Sequence, residues 1–177
     1  MKKKGEGTNV ADMEKSEHRL SVCCFTGHRV LPSHRLWELS ELMDRALSSM
    51  IHQGVTEFRT GGALGFDTLA ALKVLDLRQK HPELRLTIYV PCRGQDASWS
   101  ERDRAIYRGI LERADEKILV SQDYTRGCML KRNRHMVDGS DVCIAFVTKQ
   151  EGGSAYTARY AEGRGVRVLN LARYLNP

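Results

Sequence analysis

The sequence predicts an α/β domain with a mostly parallel sheet of about six strands and helices on both faces. Three observations predict it. Short apolar runs alternate with amphipathic stripes at helical spacing along nearly the whole chain. The runs SVCCF at 21–25 and DVCIAFV at 141–147 are strongly strand-like. Glycine turns follow several strands, where an α/β connection needs them. At 177 residues the chain is the size of one domain.

The elements follow in order. Residues 21–25 form the first strand, and a turn over 26–32 leads into a helix for which Ser33 is placed as N-cap. Leu36, Leu39, Leu42, Met43, Ala46, Leu47 and Met50 share one helical face, and Gly54 closes that unit. A second strand covers 55–59, followed by Thr60-Gly61-Gly62-Ala63-Leu64-Gly65 and a helix to about residue 79. The third strand spans 84–90. A loop over 91–96 precedes a helix over 98–114, and a short strand follows at 117–120. A basic helix covers about 128–138, and 141–147 is the fifth strand. After Gly152-Gly153-Ser154 come a helix to about residue 162 and a last strand at 166–171. There is no internal repeat or interdomain linker. Residues 1–19 read as a solvated tail and 20–177 as the domain.

Composition narrows the function classes. With 41% hydrophobic residues the chain can bury a core. No apolar run reaches the ~20 residues that span a bilayer, so no membrane partner is expected. The basic N-terminus has no apolar stretch behind it, so it is not a secretory signal. The net charge of +6 suits an anionic ligand and would equally suit nucleic acid. Five cysteines without a C-x-x-C pair argue against a zinc site or a disulfide framework, so no metal and no cofactor are expected. The cytoplasm is the natural compartment.

In such sheets ligands bind beyond the carboxyl ends of the strands, near the point where the strand order reverses. Three segments fall at those ends: Thr26-Gly27-His28-Arg29, Thr60–Asp67 and Gly152-Gly153-Ser154-Ala155-Tyr156-Thr157. Glycines there let backbone approach a phosphate, and the following helix offers unpaired N–H groups. The hydroxyls of Thr26, Thr60, Ser154 and Thr157 add donors, and Arg29 adds a charge-assisted one. The competing reading is that these glycines serve turn geometry alone, that Asp67 answers the helix dipole, and that His28 stabilises its turn.

The motifs C-F-T-G-H-R (24–29), T-G-G-A-L-G-F-D (60–67), K-R-N-R-H-M-V-D-G-S-D (131–141) and G-G-S-A-Y-T-A-R-Y-A (152–161), with the 91–99 segment, resemble the SLOG superfamily of DprA-like and LOG-like proteins. They look most like its YpsA/YoqJ-type branch, found in bacteria and phage. The resemblance covers about residues 22–171. It implies a Rossmann-like fold and a nucleotide-related pocket holding Gly27, Arg29, Gly61, Gly62, Asp67, Arg132, Asn133, Gly152, Gly153 and Thr157. Ala63 belongs to the same turn. ADP-ribose-derived signals are sensed by related domains, and many relatives self-associate, which makes a homodimer the expected association state.

Two departures bear on activity. LOG phosphoribohydrolases resemble P-G-G-x-G-T-x-x-E, and counting from Gly152 this chain has Arg159 in place of the glutamate and Glu151 in place of the proline. Monophosphate hydrolysis is therefore not the leading expectation, and no catalytic set is identified. DprA proteins usually carry flanking domains, for which this chain has no room.

The leading expectation is a sensor or sequestering protein for a nucleotide-derived small molecule. An enzyme cleaving an N-glycosidic or phosphate bond, with Asp67 or Glu162 as its carboxylate, is the alternative. Association with single-stranded DNA ranks behind the small molecule: Arg126, Lys131, Arg132, Arg134 and His135 make a basic stretch, yet no aromatic interleaves with them. In the loop after the third strand, Trp99 is placed either to stack on a base, with Gln95 reading its edge, or to pack the loop on the sheet.

Overall fold

The computed structural model describes residues 20–175; the tail expected at 1–19 lies outside the described residues. Six strands form one sheet, every pair of neighbours parallel: β1 (Val22–Gly27), β2 (Glu57–Thr60), β3 (Arg85–Val90), β4 (Glu116–Leu119), β5 (Val142–Phe146) and β6 (Arg167–Asn170). Five helices connect them: α1 (Leu36–His52), α2 (Phe66–Leu77), α3 (Glu101–Arg113), α4 (Cys128–Val137) and α5 (Gly153–Gly163). The expected Rossmann-like α/β architecture is the one observed.

The strand order is β4-β3-β2-β1-β5-β6. From β1 the chain steps outward to β4, then returns to lay β5 against the other side of β1. The order reverses between β1 and β5, where Thr26 pairs with Ala145 and Gly27 with Phe146. Pleating sends successive β1 side chains to opposite faces. Cys23 and Phe25 join a core with Met43 of α1, Phe66 of α2 and Ile110 of α3. Cys24 instead joins Cys143, Val137 of α4 and Ala161 of α5. Helices α1–α3 thus cover one face, and α4 and α5 the other.

Most boundaries fall within two residues of the expected ones; two helix starts do not. Ser33 is not an N-cap. It begins a 3₁₀ turn (Ser33–Arg35) behind Pro32, whose φ of −68° already suits a helical entry, and α1 starts at Leu36 without a side-chain cap. Helix α3 starts at Glu101 because Ser100 is the cap: its Oγ accepts from the Asp103 amide at 3.1 Å, while Asp103 answers with Oδ2 at 2.7 Å.

Candidate functional site

A cleft of about 310 Å³ opens at the β1/β5 reversal, at the carboxyl ends of the strands. Ten of the residues expected at a ligand site line it. Thr26, Gly27, His28 and Arg29 come from the β1 turn, Ala63 and Asp67 from the entry to α2, Arg132 and Asn133 from α4, and Gly153 and Ser154 from α5. Phe25, Met129, Leu130 and Met136 complete the wall. These four escaped sequence reasoning, although 129, 132, 133 and 136 share one face of α4 and their spacing carried the signal.

Arg132 is 4% exposed and serves as an internal brace. One of its terminal nitrogens donates to Gly61 O at 2.5 Å and to Tyr89 O at 3.1 Å, tying the ends of β2 and β3 together. Its Nε donates to Asn133 Oδ1 at 2.7 Å. Asn133 passes the chain on, donating to Thr157 Oγ1 at 2.8 Å, and Thr157 donates to Gly153 O at 2.7 Å. A continuous network therefore runs from the β2–β3 edge to the first residue of α5. Burial pulls the Arg132 pKa down, and the nearby Asp67 charge opposes that pull.

Asp67 is buried at the bottom of the cleft, its Oδ2 accepting from the Ala63 amide at 3.3 Å. Burial raises its pKa, against the Arg132 charge and against hydrogen bonds from Ala63, Gly61 and Thr60. The native state thus holds this proton more tightly than the unfolded chain. The associated stability is full below the ordinary value of 3.8 and is lost as pH rises through the elevated native value. A carbon-detected NMR titration of the Asp67 carboxyl is expected to give a midpoint above 3.8; a midpoint at or below it would mean that the Arg132 field outweighs burial.

The glycines divide into two classes. A Cβ on Gly27 would overlap the Phe66 side chain, one on Gly61 the Arg132 guanidinium, and one on Gly62 would come within 2.9 Å of the Tyr107 ring. Those three glycines serve packing. Gly152 and Gly153 have nothing within 4 Å of such an atom. No side chain caps α5, and its first intrahelical donor is Tyr156, whose amide bonds Gly152 O at 2.9 Å. The N–H groups of Gly153, Ser154 and Ala155 precede it and carry the positive end of the helix dipole. Ser154 Oγ donates to Gly27 O at 2.7 Å, fixing this end of α5 against β1.

Two groups at the rim differ in freedom. Arg29 is exposed and its guanidinium has no hydrogen bond or ion pair among the described residues. His28 is held: its Nε2 accepts from the Thr148 amide at 2.9 Å and lies 3.0 Å from Thr148 Oγ1. That fixes the neutral tautomer with the proton on Nδ1. Burial, and secondarily Lys149, lower the His28 pKa.

Gly61, Gly62, Gly152, Thr157, Gln95 and Trp99 do not line the cleft; Gln95 reaches its back, with Nε2 3.5 Å from Gly61 O, the carbonyl that Arg132 also holds. Gln95 Nε2 donates to Tyr107 Oη at 2.6 Å, and Trp99 packs edge-on against Tyr107 with ring centroids 5.3 Å apart. These contacts seat the 91–99 loop on α3. Glu162 and Arg159 line a different cleft, so Asp67 is the only carboxylate in the wall of the β1/β5 cleft among the described residues. The basic helix also differs in space from its sequence. Arg134 lies over the rings of Tyr156 and Tyr160 of α5, 5.4 and 5.7 Å from their centroids, so aromatics do meet these charges.

Among the described residues no three His, Cys, Asp or Glu side chains are grouped to hold a metal ion, and no helix is long and apolar enough to cross a membrane. The five cysteines are buried as free thiols.

Residues 33–165 match the model of the family described as the YspA SLOG family. Among curated proteins, the SPbeta prophage-derived protein YoqJ of Bacillus subtilis is 32% identical over 117 residues, 59% of this chain and 68% of that protein. The UPF0398 protein YpsA of the same organism is 26% identical over 132 residues, 73% of each chain. Two solved structures share the fold. DNA processing protein A from Helicobacter pylori, described for its single-stranded DNA binding mode, superposes with a TM-score of 0.59 at 19% identity over 85% of this chain. The Streptococcus pneumoniae DprA gives 0.60 at 16% identity over 84%. This chain spans 64% and 49% of the lengths of those two.

Proposed function

This chain belongs to the YspA SLOG family, and we propose that it binds a nucleotide-derived small molecule, such as a nucleoside phosphate or an ADP-ribose-like compound, in the β1/β5 cleft. The observation that carries this reading is the unobstructed approach to the start of α5. Gly152 and Gly153 leave open space in front of three unpaired N–H groups, and the unpaired Arg29 stands at the rim of the same cleft. Backbone donors and an exposed, unpaired guanidinium together suit a phosphate. Met129 and Leu130 supply an apolar wall for a base or sugar. The ordered network behind the wall means that the cleft is largely preformed, so little ordering is needed on binding.

The role favoured is sensing or sequestration. Among the described residues Asp67 is the only carboxylate lining the cleft, and it is buried beneath the wall and engaged with the Ala63 amide. A thermal-shift panel of nucleoside mono- and diphosphates, dinucleotides and ADP-ribose is expected to contain a stabilising compound. At 100 times its dissociation constant it adds about 2.7 kcal/mol, and it is recovered unchanged. Release of base or phosphate at a rate typical of enzymes, ~1–10³ s⁻¹, would instead make the protein a hydrolase.

One observation favours a second reading. Tyr156 and Tyr160 stack on each other with Arg134 over both, an aromatic and cationic surface of the kind that holds single strands. The Helicobacter pylori protein of the same fold binds single-stranded DNA. The two readings separate by salt: single-strand affinity falls with a log–log slope of about −0.7 per neutralised phosphate, whereas a small ligand held by backbone donors responds weakly.

A further inference from the structure

We infer that a second cleft, on the far side of α5 from the first, is a separate site for a small phosphorylated sugar. This cleft encloses about 430 Å³, a volume within the range of small-molecule pockets. It lies at the carboxyl ends of β5 and β6 and is closed below by the 3₁₀ turn Leu171–Tyr174. The inference does not rest on the ligand proposed for the β1/β5 cleft: the two clefts share no lining residue.

Charge selects the ligand. Lys149, Arg159 and Arg173 line the cleft and are exposed, and Glu162 is the one carboxylate among the lining residues. None of the three cations forms an ion pair among the described residues, and Glu162 is equally unpaired. Three positive charges and one negative leave the cleft a net +2, which matches the charge of a phosphate monoester near neutral pH. Arg159 is pre-positioned, since its Nη1 donates to Gln150 O at 2.6 Å, which leaves the rest of its fork free. Glu162, an acceptor with no donor of its own, would repel a phosphate but takes hydrogen bonds from sugar hydroxyls. Phosphate at the cation cluster and hydroxyls at Glu162 use every charge in the cleft.

The floor fits such a molecule too. Ala155, Ala158 and Ala172 present only methyl groups, so the space is not filled from below. Asn170 holds the shape: its Oδ1 accepts from the Val147 and Ala172 amides at 3.0 and 3.2 Å, and its Nδ2 donates to Val147 O at 2.8 Å. With its hydrogen bonds so committed, Asn170 fixes the strand ends around the cleft. The segment 147–150 is its outer wall, and Thr148 is the residue bonded to His28 of the first cleft.

The test is amide-resolved NMR of the full chain, titrated with ribose 5-phosphate, with ribose, and with sodium chloride at matched ionic strength. Ribose 5-phosphate is expected to give saturable shifts at Gln150, Ala158, Arg159 and Ala172. Ribose and chloride are expected to give none of comparable size. The Lys149→Ala/Arg173→Ala double variant removes two unpaired exposed charges and is expected to weaken that titration at least tenfold. Glu162→Gln is expected to lower the preference for ribose 5-phosphate over inorganic phosphate, because it removes the carboxylate acceptor for the sugar hydroxyls together with the repulsion that inorganic phosphate feels. Arg29→Ala, in the other cleft, should change none of these shifts. Shifts confined to Gly153 and Ser154, shifts reproduced by chloride, or a titration that survives the double variant would each overturn the second site.

Discussion

Replacing Arg132 by alanine is expected to destabilise the folded protein by about 3 kcal/mol, the scale for leaving buried partners of a charged group unsatisfied. For a chain of this size that is a fall of roughly 6–12 °C in the unfolding midpoint. The loss follows from what the guanidinium holds: Gly61 O, Tyr89 O and Asn133 Oδ1, all from a side chain 4% exposed. Asp67 loses its nearest favourable charge at the same time, so its carboxyl should titrate still higher. Arg132→Lys keeps the charge but lacks the fork that reaches two carbonyls and Asn133, and should fall between the two. Thermal and denaturant unfolding of the three proteins check this. An alanine variant as stable as the parent would mean that Arg132 is a free ligand arm and not a brace.

Gly65→Ala should be of comparable cost, roughly 2–6 kcal/mol when left-handed backbone strain and overpacking are combined. Gly65 precedes α2 with φ of +78°, and its missing Cβ would overlap Arg29 O and lie 2.5 Å from His28 O. Both obstacles are backbone, so neither swings away as a side chain would. The Phe66 amide donates to His28 O at 3.1 Å beside this contact, so the β1 turn and the entry to α2 are locked together. An alanine there must push the turn that carries Arg29 outward. Gly109→Ala, in mid-α3 with nothing within 4 Å, is the control and should gain about 0.5–1 kcal/mol. Equal stability of both variants would refute the close approach.

The fold was legible because its signals are local. An unbroken apolar strand such as β5 and the stripe Leu39, Met43, Ala46, Leu47 and Met50 of α1 need no partner to be read. The strand-end turns that line the cleft were legible for the same reason. The roles within them were not. Whether a glycine yields to a ligand or to a neighbour depends on what stands opposite: Phe66 for Gly27, Arg132 for Gly61, open space for Gly153. These are contacts between distant segments. Arg132 has the same residue type and the same helix as Arg134, yet one is interior and the other lies on Tyr156 and Tyr160. Only the packing of α4 on the sheet distinguishes them. The second cleft was hidden for a related reason, because Lys149, Arg159 and Arg173 are separated in sequence and meet only through α5 and the turn after β6.

The most direct measurement compares ligand-induced stabilisation of the parent protein with that of Gly153→Val. At Gly153 the backbone is free of positive φ and nothing lies within 4 Å of an added Cβ, so the variant should fold with nearly unchanged stability in the absence of ligand. Its side chain would stand in the open space before the α5 N–H groups, where the phosphate is proposed to sit. With AMP, ADP and ADP-ribose as probes, the parent should be stabilised by at least one of them, by about 2.7 kcal/mol at 100 times the dissociation constant. That stabilisation should vanish in Gly153→Val. A folded variant that keeps the full ligand shift would contradict the placement of the phosphate at α5.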